Sequence, residues 1–480
     1  MKKINLLSVI MFLQLLFVNA QYDWDNIPIP ANAGAGKTWQ LQVQASDDFN
    51  YQFSPTNNVT DFGPANNAKW YNKFHNQPNG TPNNWPGPGP TVWMQNHVAV
   101  SGGHLNIWAS RIPGATKSFV GSSGNLISRP ETRAGCITNK TRVKFPVFVE
   151  ASIKVMNSSL ASDIWLLSPD DTQEIDIIEC YGGPGDDNRN GFFANKIHLS
   201  HHVFIRPPNF KDYQPADLNS WWKKDGVSQW GGRVVRIGVN WVSATRLEYY
   251  VDGQMVRVLD DTAVQTRLAD GTWQYTYPAG VTSTGVNGQL VRENGYQKMN
   301  IATSLNDAKN KSNISVIDPF NYLNNQRRFT KEMDIIINVE DQSWQAEAFR
   351  SSTDAELENF ENNNLLVNWI RVYKPVNARN FVNTELTSTE ISNNSARALT
   401  SNEEEKQELA VFPIPAKDVL NISSKDYVQA KVYNLQGLIV LRKDVADGTL
   451  NVSSLENGIY VLELAKANGE STKQKIVISK

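Results

Sequence analysis

Residues 147–155 read Val-Phe-Val-Glu-Ala-Ser-Ile-Lys-Val. Small and branched apolar residues at the odd positions alternate with Phe, Glu, Ser and Lys, which predicts a β-strand with one buried face. Residues 246–259 read as two β-prone runs around Asp252-Gly253, a strong signal for a hairpin between antiparallel strands. Residues 368–373 predict one more strand, which closes the same domain.

The same pattern covers residues 21–376, where short alternating runs are separated by Gly, Pro, Asn and Asp. Long helical periodicity is scarce in this stretch. Many short strands in one domain of roughly 350 residues predict an all-β fold, a large antiparallel sandwich.

The segments on either side have a different composition. Residues 1–20 combine Lys2 and Lys3 with an apolar run and small residues before Gln21, which is typical of a cleaved signal peptide. A retained anchor is the alternative, although the apolar run is short for a bilayer. Residues 377–409 are rich in Ser, Thr, Asn and Glu, which predicts a flexible linker. Residues 410–480 form a small β-rich module.

Composition narrows the classes of partner and cofactor. The formal net charge of the 480 residues is −2, so no electrostatic reason favours nucleic acid or an anionic membrane. The 14 Trp and 15 Tyr suit a protein that stacks aromatic rings on the apolar faces of sugars. Cys136 and Cys180 lack metal-type spacing and are either one disulfide or two small buried side chains, so zinc and redox functions have no support.

The acids are concentrated in residues 174–179, Glu-Ile-Asp-Ile-Ile-Glu. In a regular strand Glu174 and Asp176 share a face and Glu179 points away, but a β-bulge at Ile177-Ile178 returns Glu179 to that face. Hydrolysis of a glycosidic bond uses two carboxyl groups, one as acid and one as nucleophile or base, and here two lie on one face. A solvated acidic strand or a calcium site is the alternative from residue chemistry alone.

Several ordered motifs carry a resemblance to a known family. Glu174, Asp176 and Glu179 match the bulged signature Glu-x-Asp-x-x-Glu of glycoside hydrolase family 16. Similar stretches occur upstream and downstream, and two of them resemble the marine β-agarases of that family. The matching stretches are residues 148–151, 165–171, 197–202, 249–253 and 369–373.

The resemblance implies a concanavalin-like β-jelly roll with an open concave cleft, and an endo-acting hydrolase that retains anomeric configuration. Glu174 would be the nucleophile and Glu179 the general acid and then base, while Asp176 would hold Glu174 in position. The implied substrate is agarose, an agar-type galactan, cut at β-1,4 linkages. No cofactor is expected for catalysis, and the enzyme is expected to be a monomer.

Further site residues are predicted around these acids. The Trp85 loop, residues 85–90, suits an aromatic platform at the edge of the cleft. Expected contacts with substrate are Trp85, Trp165, His198, Arg133, Arg206, Glu340 and Trp344. The resemblance also implies one structural calcium ion away from the cleft, with Asp48, Gly103 and Asn368 as candidate ligands, although Asn368 stands where an Asp is common.

The C-terminal module resembles the sorting domain of the type IX secretion system. The matching stretches are residues 411–416, 432–437 and 455–460, with Ile414 where Asn is usual. This resemblance implies export to the medium or the cell surface, with the type IX machinery as partner. A sugar-binding module is the alternative, but the segment lacks a Trp platform.

Other functions are compatible with the same acids. A porphyranase would share the machinery and add an arginine pocket for sulfate, for which Arg133 is the candidate. Enzymes acting on β-1,3-glucan or carrageenan fit the flanking motifs less well. A transglycosylase would intercept the same intermediate with a sugar, and a non-catalytic lectin would have no need for all three acids.

Overall fold

The computed structural model describes residues 22–279, 290–324, 327–378 and 411–480, the last with short gaps at 414, 425, 435–438, 446 and 467–470. These residues belong to two compact units, Met1–Asn383 and Thr384–Lys480. The predicted signal peptide, nearly all of the predicted linker, Ile414 and residues 435–437 lie outside the described residues. The domain boundaries at 20, 376 and 409 therefore stay predictions.

The first unit consists almost entirely of strands. In chain order they are β1 (Lys37–Leu41), β2 (Trp70–Tyr71), β3 (Thr91–Trp93), β4 (Val98–Ser101), β5 (His104–Ile107), β6 (Ala109–Ser110), β7 (Thr116–Val120), β8 (Leu126–Pro130), β9 (Thr132–Ala134), β10 (Cys136–Asn139), β11 (Val147–Lys154), β12 (Ala161–Leu167), β13 (Gln173–Cys180), β14 (Ile197–His198), β15 (His201–Ile205), β16 (Lys211–Tyr213), β17 (Trp221–Trp222), β18 (Val234–Ser243), β19 (Arg246–Val251), β20 (Gln254–Asp260), β21 (Ala263–Arg267), β22 (Trp273–Pro278), β23 (Arg292–Glu293), β24 (Tyr296–Gln297), β25 (Met299–Ala302), β26 (Asp334–Glu340) and β27 (Leu365–Asn377).

The helices of this unit are short. They are α1 (Gly191–Ala194), α2 (Leu305–Lys311), α3 (Ser343–Glu347) and α4 (Asp354–Glu358), with single 3-10 turns at Val43–Ala45, Gln95–His97 and Leu218–Ser220. Among the described helices, none has the length and apolarity needed to cross a membrane.

Two large antiparallel sheets make up the unit. The first runs β25-β22-β21-β20-β19-β18-β11-β27-β5-β4, and β1 also pairs with β27. The second runs β16-β15-β13-β12-β26-β10-β2, with β14 joining β13 to β17. Side chains from facing strands of both sheets belong to one continuous buried core. The predicted antiparallel sandwich is confirmed.

The hairpin at 246–259 is confirmed, since β19 and β20 pair across the turn at Asp252 and Gly253. Both turn residues have positive φ, +50° and +75°. This geometry matches the right-handed twist of the flanking strands, and Asp-Gly adopts it at little cost.

The prediction that residues 147–155 bury a single face is wrong, because β11 is buried on both faces. Arg371 of β27 is fully buried and pairs with Glu150 of β11. Its guanidinium also donates to the backbone carbonyls of Ile27 and Pro28, at 2.7 and 3.1 Å. The N-terminal segment therefore covers the outer face of this sheet, which the alternation of residues in β11 alone does not reveal.

The second unit has its own core. Its strands are β28 (Val411–Phe412), β29 (Val419–Ile422), β30 (Tyr427–Tyr433), β31 (Ile439–Asp444), β32 (Thr449–Asn451), β33 (Gly458–Lys466) and β34 (Ser471–Ile478). They form sheets β28-β29-β32 and β31-β30-β33-β34, which bury a separate cluster around Leu420, Val432 and Leu462.

The two cysteines are free thiols, and both are buried. Burial raises the pKa of each well above its ordinary value. Of the two alternatives left by the sequence, the structure therefore favours small buried side chains over a disulfide.

Candidate active site

A cleft of about 1010 Å³ lies over the outer face of the second sheet. Its floor is formed by β12, β13 and β26, and its walls are formed by loops that carry aromatic side chains. Glu174, Asp176 and Glu179 all line it. The chain therefore gathers its acid motif and many of its aromatic residues in a single concavity.

A β-bulge in β13 brings the three acids to one face. Ile164 of β12 pairs with Ile178, whereas the next residue, Trp165, pairs with Asp176. Ile177 is thus the extra residue, as the sequence predicts. The isoleucines at 175, 177 and 178 are fully buried in the core, so the bulge separates an apolar face from an acidic one.

Glu179 accepts hydrogen bonds on both carboxylate oxygens. The Tyr181 hydroxyl donates to Oε1, and His198 Nδ1 lies 2.6 Å from Oε2. His198 pairs with Glu179 across β13 and β14 and stacks on Trp221 at 4.1 Å. Burial alone raises the pKa of Glu179, but these hydrogen bonds outweigh it and the net pKa lies below its ordinary value.

Glu174 and Asp176 face His202 instead. His202 Nε2 lies 3.9 Å from Glu174 Oε1 and 3.6 Å from Asp176 Oδ2, and Nδ1 lies 2.7 Å from Asp212 Oδ1. Burial raises the pKa of Asp176 to about 6 and that of Glu174 well above its ordinary range, although His202 opposes both shifts. A protonated His202 offsets the negative charge of this end of the cleft.

Glu174, Asp176 and His202 also form a group whose ligand atoms lie within 4.8 Å of one another. Such spacing can hold a metal ion. Burial alone lowers the pKa of His202, but the surrounding carboxylates outweigh it and hold that pKa well above its ordinary value. An imidazolium has no lone pair to offer a metal, so the geometry fits an ion-pair cluster better than a metal centre.

Trp165 and Glu340 are joined through Asn338 on the cleft floor. The Trp165 indole nitrogen donates to Asn338 Oδ1 at 2.6 Å, and Asn338 Nδ2 donates to Glu340 Oε2 at 3.1 Å and to Asp163 Oδ2 at 3.2 Å. Burial, followed by the charges of Glu179 and Asp176, raises the pKa of Glu340 to about 8. Its other oxygen, Oε1, accepts a hydrogen bond from Gln342, so Glu340 is a buried acid with a partner on each oxygen.

Aromatic residues form the walls. Trp85 is 46% exposed and contacts Phe74 edge-on at 5.2 Å, so its ring is available for stacking. Trp344 lies in a cluster with Tyr181 and Phe193, at 5.2 and 5.0 Å. Both tryptophans line the cleft.

Arg206 lines the cleft, whereas Arg133 does not. The Arg206 guanidinium lies over the Phe204 ring at 4.1 Å and donates to the carbonyl of Asp171. Arg133 forms an ion pair with Glu131 at 2.8 Å and is absent from the residues that line the cleft. The structure thus gives Arg133 no direct contact with the acids.

Two of the three candidate calcium ligands, Asp48 and Gly103, lie in loops, and none of the three lines the cleft. Asp48 Oδ1 accepts from the backbone nitrogen of Asn50 at 3.4 Å. A Cβ at Gly103 would lie 3.2 Å from Asn50 Oδ1, so these three residues are neighbours. Asn368 lies in β27. Carboxylate, amide and carbonyl oxygens are the ligand types that calcium prefers.

The sequence prediction missed four residues of the site. His202, Tyr181, Asp163 and Trp221 line or support the cleft. His202 belongs to a motif that the sequence does single out, and its position directly opposite Glu174 in β15 depends on pairing between strands. Tyr181 follows the acid motif by two residues, which is a local signal for contact with Glu179.

This chain belongs to glycoside hydrolase family 16: residues 39–278 match the family model described as Beta-porphyranase A-D, GH16 domain. A second model, the secretion system C-terminal sorting domain, matches residues 410–479. The predicted jelly-roll class and the C-terminal type IX sorting module are both confirmed. The sorting domain marks the chain for export to the medium or the cell surface.

Relatives share most or all of this architecture. The chain is 75% identical to Beta-agarase D of Zobellia galactanivorans over 479 residues, which is 100% of both chains. It is 44% identical to a Beta-agarase of Phocaeicola plebeius over 355 residues, 74% of this chain and 91% of the relative. The crystal structure of the catalytic domain of beta-agarase D from Zobellia galactanivorans matches with a TM-score of 0.73 and 84% identity, covering 74% of this chain and all of that one.

Proposed function

We propose that this chain is a secreted, endo-acting β-agarase that cleaves β-1,4 linkages in agarose with retention of configuration. The observation that carries the proposal is the bulged strand β13, which presents Glu174, Asp176 and Glu179 to an open cleft. The identity with relatives named β-agarase supports the choice of agarose.

In the first half of the proposed reaction, Glu174 attacks the anomeric carbon and forms a covalent glycosyl-enzyme. Glu179 protonates the leaving glycosidic oxygen in the same step. Asp176 lies next to Glu174 and shares His202 with it, so it is suited to hold the nucleophile in position.

In the second half, Glu179 removes a proton from water, and the hydroxide attacks the anomeric carbon. Glu174 leaves as a carboxylate, so two displacements retain the configuration. Trp165, at the floor beside β13, and Trp85, at the exposed edge, are suited to stack on sugar rings. His198, Arg206, Glu340 and Trp344 line the same cleft and offer it polar and aromatic contacts.

Porphyran is the alternative substrate, since the matching family model takes its name from porphyranases. A sulfate pocket needs an unpaired cation in the cleft, and Arg133, its candidate, is paired with Glu131 outside it. Arg206 lies in the cleft wall, where it donates to the backbone carbonyl of Asp171 and lies over the Phe204 ring. The support for agarose over porphyran therefore comes from the identity with relatives named β-agarase. The lectin alternative gives the clustered acids no function.

The test is the release of reducing ends from agarose and from porphyran, side by side, by the wild type and by Glu174→Gln. We expect activity on agarose that falls at least ~10³-fold in the variant, because the substituted amide cannot form the covalent intermediate. Activity confined to porphyran would contradict the proposal that agarose is the substrate. Binding without hydrolysis of either polysaccharide would favour the lectin.

We also propose that one structural calcium ion binds at Asp48, Gly103 and Asn368, because these residues offer carboxylate, carbonyl and amide oxygens, the ligand types that calcium prefers. The ion takes no part in the chemistry. The enzyme is proposed to act as a monomer, since one chain supplies a complete cleft. Sedimentation tests the monomer, and melting with and without a chelator tests the ion.

A further inference from the structure

Asp163 is an acid of the cleft that the reaction above does not use. It lies on β12 directly opposite Glu179 on β13, is 4% exposed and lines the cleft. Directly opposite side chains of an antiparallel pair have Cβ atoms about 4.5–5.5 Å apart. The charge of Glu179 acts on Asp163 and raises its pKa, and two carboxylates on such neighbouring positions repel each other when both are ionised, so the pair tends to keep one proton.

The hydrogen bonds indicate which member holds that proton in the free enzyme. Glu179 has a partner on each oxygen, Tyr181 and His198, and this favours its ionised form. Asp163 has a donor on Oδ2 only, from Asn338 at 3.2 Å. Its Oδ1 is buried without a hydrogen-bond partner, an arrangement that suits a neutral carboxylic acid better than a carboxylate.

The orientation of the Asn338 amide is fixed by Trp165, and Asn338 does not neutralise the charge of the nearby acids. The Trp165 indole is a donor only, so it fixes Asn338 Oδ1 as the acceptor. The amide Nδ2 then gives one N–H to Asp163 and one to Glu340. Neither bond brings a positive charge to the acids.

The other surroundings of Asp163 are mostly acidic. The titratable groups around it are Glu174, Asp176, Glu179 and Cys180 on β13, Tyr181 just after β13, Glu340 on β26, Cys136 on β10 and, across the cleft, His198 on β14 and His202 on β15. Burial raises the pKa of Asp163 well above its ordinary value, and the charges of Glu340 and Glu179 add to the shift.

We infer that Asp163 and Glu179 share one proton, which resides on Asp163 in the free enzyme and is passed to Glu179 for the glycosylation step. This inference rests on the proposed function. In the transfer Asp163 becomes a carboxylate and Glu179 a carboxylic acid, so the charge of the pair stays at −1. Glu179 then gives the proton to the leaving oxygen, and the proton it later takes from water restores the pair.

Asp163 is thereby a positioning residue that acts through Glu179, and it sets the alkaline limit of activity. Once Asp163 carries the charge, it raises the pKa of Glu179 and keeps the acid protonated to higher pH. In Asp163→Asn this charge is missing, and the hydrogen bonds from His198 and Tyr181, which outweigh burial, hold the pKa of Glu179 low. The alkaline limb of the pH profile should then move to lower pH, by about one unit.

The experiment measures kcat/KM for an agarose oligosaccharide between about pH 5 and about pH 10, a range that includes the alkaline limb of both profiles. The variants are Asp163→Asn and the control Asp270→Asn, whose carboxylate lies in an exposed turn and accepts hydrogen bonds from Thr272. We expect a shifted limb in the first and the wild-type profile in the second. A uniform loss at every pH, with the limb unmoved, would overturn the inference and leave Asp163 a purely structural role.

Infrared difference spectra of the free enzyme locate the proton independently of turnover. Burial also raises the pKa of Glu340 to about 8, so its protonated carboxyl band should be present in both proteins. We expect Asp163→Asn to lose one protonated carboxyl band of the wild type. An unchanged set of protonated carboxyl bands assigns the proton elsewhere and refutes the inference, even when the limb moves. If the wild type fails to cleave agarose while the band behaves as expected, the proposed function fails and the assignment of the proton stands.

Discussion

Glu174 and Glu179 lie on one strand but have different neighbours: His202 lies 3.9 Å from Glu174, whereas Tyr181 and His198 are hydrogen-bonded to Glu179. Their proposed roles, nucleophile and general acid, can be told apart by experiment. Azide distinguishes the two roles, because it can attack where the missing carboxylate would have acted. With a reactive aryl galactoside, Glu179→Ala plus azide should give a glycosyl azide of retained configuration. Glu174→Ala plus azide should give the inverted one. NMR of the anomeric proton identifies the product.

The two variants should also differ in how their activity depends on the leaving group. Loss of a general acid costs about 10²–10⁴ in rate on agarose, and less when the leaving group needs no proton. Loss of the nucleophile should be severe with either substrate. The same azide configuration from both variants would show that the roles are assigned wrongly.

Among the elements, the Trp85 loop packs tightly against the start of α3 at the wall of the cleft. Gly89 has φ +47°, and a Cβ there would lie 2.6 Å from the backbone nitrogen of Ser343, at the start of α3. Since backbone cannot yield, Gly89→Ala should push the loop and its Trp85 away from Trp344. We expect a raised KM for agarose and a lower melting temperature.

Gly80→Ala is the matched control. Gly80 also has positive φ, +80°, but nothing lies within 4 Å of its added Cβ. Both variants carry the backbone strain of about 1 kcal/mol that alanine meets at positive φ, and only Gly89→Ala adds the clash. Equal KM and equal melting temperatures for the two variants would show that the close approach has no effect on the cleft.

For the whole molecule, separate hydrophobic cores in the two units predict two unfolding transitions in calorimetry. Enthalpy scales with chain length, so the first unit should give the larger one. Calcium bound to the folded first unit alone stabilises that unit by mass action. A chelator should therefore lower the melting temperature of the larger transition and leave the smaller one unchanged.

A chain lacking residues 384–480 is the control for this assignment. It should lose the smaller transition and keep the response to the chelator. A single cooperative transition in the full chain would contradict independent unfolding of the two units. If the chelator left the melting temperature of the larger transition unchanged, the calcium proposal would be wrong.

The sequence alone was sufficient for features that depend on short-range periodicity. The bulge at Ile177, the Asp252-Gly253 hairpin and the sorting module follow from residue order, because alternation, turn chemistry and motifs are local. The same reasoning failed for β11, whose second face is covered by a segment more than a hundred residues earlier in the chain. It also left open whether Cys136 and Cys180 are bonded.

Only the tertiary structure brought His202 to Glu174 and Asp163 to Glu179. Each pair is created by the register between two strands, and register is set by the packing of the whole sheet on its core. The pKa shifts of the cleft acids also depend on the tertiary structure, since burial and neighbouring charges both come from the folded state. The sequence therefore determined that Glu174, Asp176 and Glu179 share one face, whereas the fold decided which other acids join them in the cleft and which acids hold protons.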